Sequence, residues 1–290
     1  MNVIEAKSLT KYYGKSRGIE NLTLSVGQGE FFGFIGPNGA GKSTFIRTVL
    51  GLLSADSGEA TVLGTPIGRS NTEILGRIGY LPSETAYYSG MKVRDVISLS
   101  AALRGVRCEE ETKRLCERLD LDVSKRVSEL SLGNRKKVGI VCALQHCPDL
   151  YILDEPTSGL DPLMQRELYT ILSERRKAGA TVFLSSHVLS EVGRYCDRAA
   201  VIRNGSIIAC DTVESLTSKE AKRVTLKGLD KPITAEGVDA LTVEDGSVSF
   251  LYRGSTESLL RLIAKAEPTD FTVTDPDMDE IFMHYYGEGK

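Results

Sequence analysis

A chain of 290 residues, 41% hydrophobic and 26% charged, has the composition of a soluble globular protein with one large or two unequal domains. Its 36 basic and 39 acidic residues leave a net charge of −3, which supplies no field to draw it to nucleic acid. The longest stretch free of Asp, Glu, Lys and Arg, Ala178–Ser190, falls well short of the roughly 18 apolar residues of a spanning helix.

The N-terminal MNVIEAKSLTKYYGK has no apolar signal region. Alternation over Val3–Thr10 and Leu22–Val26 predicts two strands of an antiparallel edge sheet. FFGFIGPNGAGKST opens on an apolar run, Phe31–Ile35, of the kind expected in a buried central strand. Gly36, Pro37, Asn38, Gly39, Ala40, Gly41, Lys42 and Ser43 follow, matching G-x-x-x-x-G-K-[ST] at every fixed position. Glycines let the backbone close into a nest of N–H groups around a β-phosphate, and Lys42 neutralises the β/γ oxygens. The Ser43 hydroxyl suits Mg²⁺, and Thr44 is expected to open a helix, Thr44–Leu50, that Gly51 stops. A chance glycine-rich turn is the bland alternative; the strand before the loop and the amphipathic helix after it weigh against that.

A helical insert is expected over about 84–148, in which Val93, Val96 and Ile97, then Leu115, Cys116 and Leu119, recur at the spacing of core packing. Inside it, Leu130–Asn134 reads LSLGN and runs into Arg135, Lys136 and Lys137, with a helix expected to begin near Asn134. A hydroxyl and a glycine at a helix start form a second place to receive an anion. The strand Leu150–Leu153 ends in Asp154-Glu155, where Asp154 can hold Mg²⁺ through water and Glu155 can polarise an attacking water. Alone, two acids at a strand end read as a solvated terminus; the upstream phosphate loop favours the chemical reading. Thr181–Leu184 is a third apolar strand, running into Ser185, Ser186 and His187, the last a candidate γ-phosphate contact. Ala200–Ala209 reads as a hairpin through Asn204-Gly205. The six cysteines show no C-x-x-C pair, so reduced, mostly buried thiols are expected. His146, His187 and His284 lack ligand spacing, so no metal site of protein ligands alone is expected.

GPNGAGKST, LSLGN, YILDEPTSGLD and LSSH, in this order, resemble the ATP-binding subunit of an ABC transporter over residues 1 to about 215. The resemblance implies that Tyr13, with Tyr12 as its near alternative, stacks on adenine, and that Gly36–Thr44 cradle the phosphates of ATP. It makes Asp154 the Mg²⁺ acid, Glu155 the catalytic base, His187 the switch histidine and Ser158–Asp161 the loop that crosses to a partner subunit. LSLGN resembles the family signature LSGGQ, which covers the γ-phosphate of ATP held by another ATP-binding domain. Ser131 would give the hydroxyl and Gly133 the close backbone approach. With one phosphate loop and one signature, the chain would pair head to tail with a copy or a sister chain. It would drive one or more integral membrane permease subunits from the cytoplasmic face of the membrane.

Two departures stand out. Leu132 and Asn134 replace a glycine and the glutamine of the signature, and Ser83-Glu84 stands where the family has a glutamine that reaches Mg²⁺. Glu84 either supplies that oxygen or only turns the chain into the next helix; both readings stay open. The polar tip with Tyr87, Tyr88 and Met91 resembles the surface that grips a membrane subunit.

After about Ser218 the texture changes to short strands, an Asp245-Gly246 turn and one amphipathic helix, similar to the C-terminal extension of bacterial drug- and antibiotic-exporter ATPases. The expected fold is therefore α/β: a P-loop NTPase core of ABC type (1–217) with an antiparallel edge sheet and helical insert, plus a small α+β domain (218–290). Two other functions compete with an exporter motor. A soluble ABC ATPase acting on ribosomes or DNA would carry a second ATPase domain or a coiled-coil insertion, and a small-molecule kinase would have no use for LSLGN.

Overall fold

The structure is a computed structural model that describes residues 1–68, 72–88, 90–217, 221–229, 232–244 and 246–274. It divides into two compact units, residues 1–210 and 211–290. Asp245 of the expected turn, His284 and the TDPDMDEIFMHYY run beyond Thr274 lie outside the described residues.

The first unit begins with β1 (Asn2–Tyr13) and β2 (Ser16–Gly27), each longer than the alternation predicted, followed by the buried β3 (Phe31–Ile35). The helix α1 (Lys42–Val49) leads to β4 (Ser57–Val62), β5 (Thr65–Pro66), α2 (Thr72–Gly76) and β6 (Ile78–Leu81). Three insert helices come next: α3 (Val93–Leu103), α4 (Glu109–Arg118) and α5 (Leu132–Leu144). The chain then alternates through β7 (Leu150–Asp154), α6 (Pro162–Lys177), β8 (Thr181–Ser186), α7 (Leu189–Tyr195), β9 (Arg198–Arg203) and β10 (Ser206–Thr212).

Two sheets result. One has the order β2-β1-β4-β5, with antiparallel pairing; the other has the order β10-β9-β3-β8-β7-β6. In the second, β3 pairs parallel with β8 and β9, and β7 pairs parallel with β8 and β6. Strands buried on both faces read as continuous apolar runs, which is why Phe31–Ile35, Leu150–Leu153 and Thr181–Leu184 stood out in the sequence. The Asn204-Gly205 turn has φ +48 and +79, the two positive angles of the favoured two-residue hairpin.

Under α1, Phe34, Phe45 and Phe183 form a triangle with ring centroids 5.1 to 5.9 Å apart, all fully buried. The packing anchors the start of α1 to the central strands; truncating one such ring to Ala costs about 3–5 kcal/mol. In the insert, Val93, Val96, Ile97, Leu115, Cys116 and Leu119 are all buried core. Gln145 pegs its three helices together: its Nε2 donates to Ile97 O (3.1 Å) and its Oε1 accepts from Thr112 Oγ1 (2.8 Å). Ion pairs join α4 to α6, with Arg118 on Glu167 and Glu174, and Arg175 on Glu111.

Several expectations need correction. α1 starts at Lys42 rather than Thr44, because Gly41 in the left-handed region already acts as its N-cap. α5 starts at Leu132, capped by Ser131, whose Oγ accepts from Asn134 N at 3.3 Å. Tyr87 is half-buried rather than at an exposed tip, and its hydroxyl stands 3.0 Å from where a Cβ on Gly139 would lie; burial pushes the phenol above its usual range. Tyr88, by contrast, is 80% exposed. The six cysteines form no disulfide, but only Cys116 and Cys196 are buried, and Cys147 and Cys210 are exposed.

The second unit begins with the end of β10, then α8 (Val213–Thr217), β11 (Ala221–Lys227), β12 (Val238–Glu244), β13 (Ser247–Arg253), α9 (Thr256–Ala266) and β14 (Asp270–Thr274). Its antiparallel sheet has the order β12-β13-β11-β14. Val224, Leu226, Val248, Phe250 and Tyr252 form a small core with Leu259 and Ile263 of α9.

Candidate active site

The loop between β3 and α1 is held from several sides. Gly41 has φ +110, and a Cβ there would stand 2.4 Å from Gly18 O, so only glycine fits. The hairpin turn braces the loop, with Gly205 N donating to Ala40 O at 2.9 Å. Gly36 is buried, while Pro37, Asn38 and Gly39 face solvent. Lys42, buried to 5% exposure, donates from Nζ to Gly36 O (2.7 Å) and Pro37 O (3.1 Å). Because α1 begins at Lys42, the amides of Lys42, Ser43 and Thr44 lie in its first turn, without intrahelical acceptors and at the positive end of its dipole. That is an anion site built from backbone.

Sheet order brings the acids to this loop. β8 lies between β3 and β7, with Ile35 in register with Ser186 and Asp154 with Ser185. Asp154 is fully buried; its Oδ1 accepts from Ser185 Oγ at 2.5 Å, and its Oδ2 is buried without a hydrogen-bond partner. A carboxylate oxygen left so calls for a cation or an ordered water. Glu155 sits in the left-handed region (φ +48), its amide donating to Ser185 O (3.2 Å) and Ser185 Oγ (3.1 Å). A non-glycine residue pays about 1–2 kcal/mol for that conformation. Here it turns the carboxylate back toward the loop: Oε1 lies 3.2 Å from Lys42 Nζ and Oε2 lies 3.3 Å from His187 Nδ1.

Lys42 and Glu155 open onto a cleft of about 400 Å³ lined also by Tyr13, Asn38, Ser83 and Glu84. Tyr13 is 47% exposed at the cleft, 3.4 Å from Thr44 Oγ1 through its hydroxyl. The structure separates it from Tyr12, whose hydroxyl donates to Glu20 Oε1 at 2.6 Å, outside the cleft lining. Glu84 is exposed beside the cleft. Ser131 and Gly133 do not line it. Ser131 and Leu132 face solvent, and Gly133 packs on the SGLD loop, where an added Cβ would meet Gly159 O at 2.5 Å.

Two site residues escaped the sequence reading. Ser185 looks like any strand-end serine, yet it orients both acids. Glu191 carries no motif, but its Oε2 accepts from Thr157 Oγ1 (3.1 Å), Tyr169 OH (2.9 Å) and Ser186 Oγ (3.2 Å). One carboxylate thereby ties the loop after Glu155 to the strand end before His187. Only the alignment of β7 with β8 makes either role visible.

The chain is similar to known proteins in sequence and fold. The model of the ABC transporter family matches residues 19–158. The bacitracin transport ATP-binding protein BcrA of Bacillus licheniformis is 36% identical over 212 residues, 71% of this chain and 68% of that protein. The linearmycin resistance ATP-binding protein LnrL of Bacillus subtilis is 34% identical over 306 residues, 98% of each chain. A solved structure described as the ATP-binding subunit of an ABC transporter superposes with a TM-score of 0.69 at 32% identity, covering 74% of this chain and 91% of that one. A nucleotide-free ATP-binding cassette from an ABC transporter superposes with a TM-score of 0.64 at 26% identity, over 73% of this chain and 92% of that one. With its phosphate loop, acids and histidine gathered at the ends of the neighbouring strands β3, β7 and β8, the chain belongs to the ABC transporter ATP-binding proteins and is an ATPase of that family.

Proposed function

We propose that this protein is the motor subunit of an ABC exporter and hydrolyses ATP in composite sites formed between two ATP-binding chains. The observation that carries this reading is that Ser131 and Gly133 lie outside the lining of the cleft that holds Lys42. Ser131 caps α5 with its side chain exposed, so that helix terminus is free to receive the γ-phosphate bound by another chain. The partner is a second copy or a sister chain, and a permease of one or more membrane subunits provides the path. Among the described residues no helix is long and apolar enough to cross a membrane. The protein would dock on the inner face of the cell membrane. Kinship with the bacitracin transport and linearmycin resistance ATP-binding proteins supports export.

Within a site, Tyr13 would stack on adenine while Gly36–Thr44 enclose the phosphates. Ser43 and Asp154 would hold Mg²⁺, with Glu84 a further oxygen, and the partnerless Asp154 Oδ2 supports that assignment. Mg²⁺ neutralises charge on the β- and γ-phosphates. Lys42 would neutralise the same oxygens through its ammonium. Glu155, steered by its left-handed backbone and paired with His187, takes the proton of the water that attacks the γ-phosphorus as the bond to ADP breaks.

Size-exclusion chromatography of Glu155→Gln with ATP and Mg²⁺ tests the arrangement. Loss of the base is expected to stall turnover and trap a dimer. A Glu155→Gln protein that binds ATP yet stays monomeric overturns the composite site. Identifying the membrane protein that co-purifies in detergent tests the transporter assignment.

A further inference from the structure

Lys136 is a lysine buried to 3% exposure, one turn into α5, the helix capped by Ser131. Its Nζ donates to Ser83 O (3.0 Å) and Pro82 O (3.2 Å), two successive carbonyls of the loop that leaves β6. That loop has a second face: Ser83 and Glu84 line the cleft beside Lys42 and Glu155. One ammonium thus bolts the helix under LSLGN to the backbone that flanks the chain's own phosphate loop. An apolar residue would satisfy burial at this place better, because a buried ammonium costs several kcal/mol and must be repaid by its acceptors. Burial pulls the Lys136 ammonium down to about 8, opposed by the charges of Asp154 and Glu155.

We propose that Lys136 is a positioning residue that couples the two composite sites of a dimer, tying the seating of a neighbour's γ-phosphate at Ser131 to the placement of Ser83–Glu84 over this chain's own ATP. The inference rests on the composite-site reading. A shift of α5 when Ser131 engages phosphate moves Lys136, and the two carbonyls it holds move with it. Each site thereby senses whether the other is filled. Arg keeps the charge and can reach two acceptors, Gln keeps one neutral donor, and Met keeps only the stem.

The test is steady-state hydrolysis against ATP concentration for the full-length wild type, Lys136→Arg, Lys136→Gln and Lys136→Met, with nucleotide binding and melting temperature measured in parallel. Lys136→Met is expected to lose roughly tenfold in kcat with KM within about twofold, and its Hill coefficient falls from above one to one. Lys136→Gln lies between, and Lys136→Arg recovers most of kcat and cooperativity. Each substitution is also placed on Glu155→Gln, where ATP-dependent dimers should still form. If Glu155→Gln dimerises and Lys136→Met keeps the wild-type kcat and Hill coefficient, the coupling role is overturned and the composite site stands. If activity instead follows melting temperature through Arg, Gln and Met alike, Lys136 only packs, and the inference fails. If Glu155→Gln never dimerises, both readings fall together.

Discussion

Glu155 Oε1 stands 3.2 Å from Lys42 Nζ, so the acid at the end of β7 is the counter-ion of the lysine that begins α1. With Glu155 only 20% exposed and Lys42 5%, the pair is poorly solvated, and each group leaves the other an unmatched charge when removed. Lys42 also donates to two loop carbonyls. The amine is therefore poised, and incoming phosphate oxygens compete with Glu155 for it.

That competition separates two substitutions. Lys42→Ala removes the cation that the β- and γ-phosphates need, and ATP binding should weaken by at least about tenfold, with hydrolysis lost. Glu155→Gln removes only the base and frees Lys42 for phosphate, so ATP binding should hold or tighten while kcat falls by about 10²–10⁴-fold. Isothermal titration with ATP and a phosphate-release assay read the two effects separately. Equal loss of binding in both variants would count against a base role for Glu155.

Ser185 offers a test one step back from the chemistry. Its Oγ donates to Asp154 Oδ1 and accepts from the Glu155 amide, so Ser185→Ala leaves a second oxygen of a fully buried carboxylate without a donor. Stability should fall by about 1–3 kcal/mol, the cost of an unsatisfied buried group. The Mg²⁺ concentration for half-maximal ATPase should also shift, because Asp154 loses its fixed orientation. A Ser185→Ala enzyme with wild-type Mg²⁺ dependence would remove Asp154 from the metal site or Ser185 from its support.

Much of this was legible in the sequence, and the missing part was non-local. Apolar runs located β3, β7 and β8 because strands buried on both faces cannot hide their composition. The phosphate loop was equally plain, since its glycines answer to backbone geometry within one short stretch. Sheet order was not: β8 separates β3 from β7, and nothing in three apolar runs says which one lies in the middle. Ser185 draws its role from Asp154, 31 residues away, Lys136 from Ser83, 53 away, and Glu191 from Thr157 and Tyr169, 34 and 22 away. Cysteine burial failed for a related reason, since Cys147 is exposed between the half-buried His146 and the buried Pro148, and nothing in that local sequence says which of the three faces out.

His146 gives a pH dependence with a definite sign. Its Nε2 lies 3.2 Å from Ile78 O, its Nδ1 is buried without a partner, and burial, aided by Arg104, lowers its pKa from 6.5 to about 4. Between those values the unfolded chain binds more protons than the folded one. Stability is therefore kept above pH 6.5 and lost as the pH falls toward 4, by on the order of 2 kcal/mol after allowance for solvent screening. Urea unfolding at pH 4.5 and 7 should show this loss in the wild type, and the loss should shrink in His146→Gln. An unchanged difference would assign the acid sensitivity to carboxylates instead.

The question of which phosphate LSLGN serves can be put to two dead proteins. Lys42→Ala spoils a phosphate loop, and Ser131→Arg fills a signature with a bulky side chain; as homodimers, each has two broken sites. A mixed dimer places the intact phosphate loop of one chain against the intact signature of the other and so restores one whole site. If both loops served one phosphate within a chain, no mixture could contain a working site. Random pairing of equal amounts should return at most roughly a quarter of wild-type activity, since half of the dimers are mixed, each has one of two sites, and coupling between the sites lowers the yield further. No recovery, with mixed dimers demonstrated, would fit either the single-chain arrangement or two sites that must fire together. Joining Ser131→Cys to Asn38→Cys on a neighbouring chain, with the exposed Cys147 and Cys210 replaced by Ser, separates that case from the single-chain one. An ATP-dependent disulfide-linked dimer places the signature over a neighbour's phosphate loop whatever the rate, and its absence with ATP bound puts LSLGN back on its own chain.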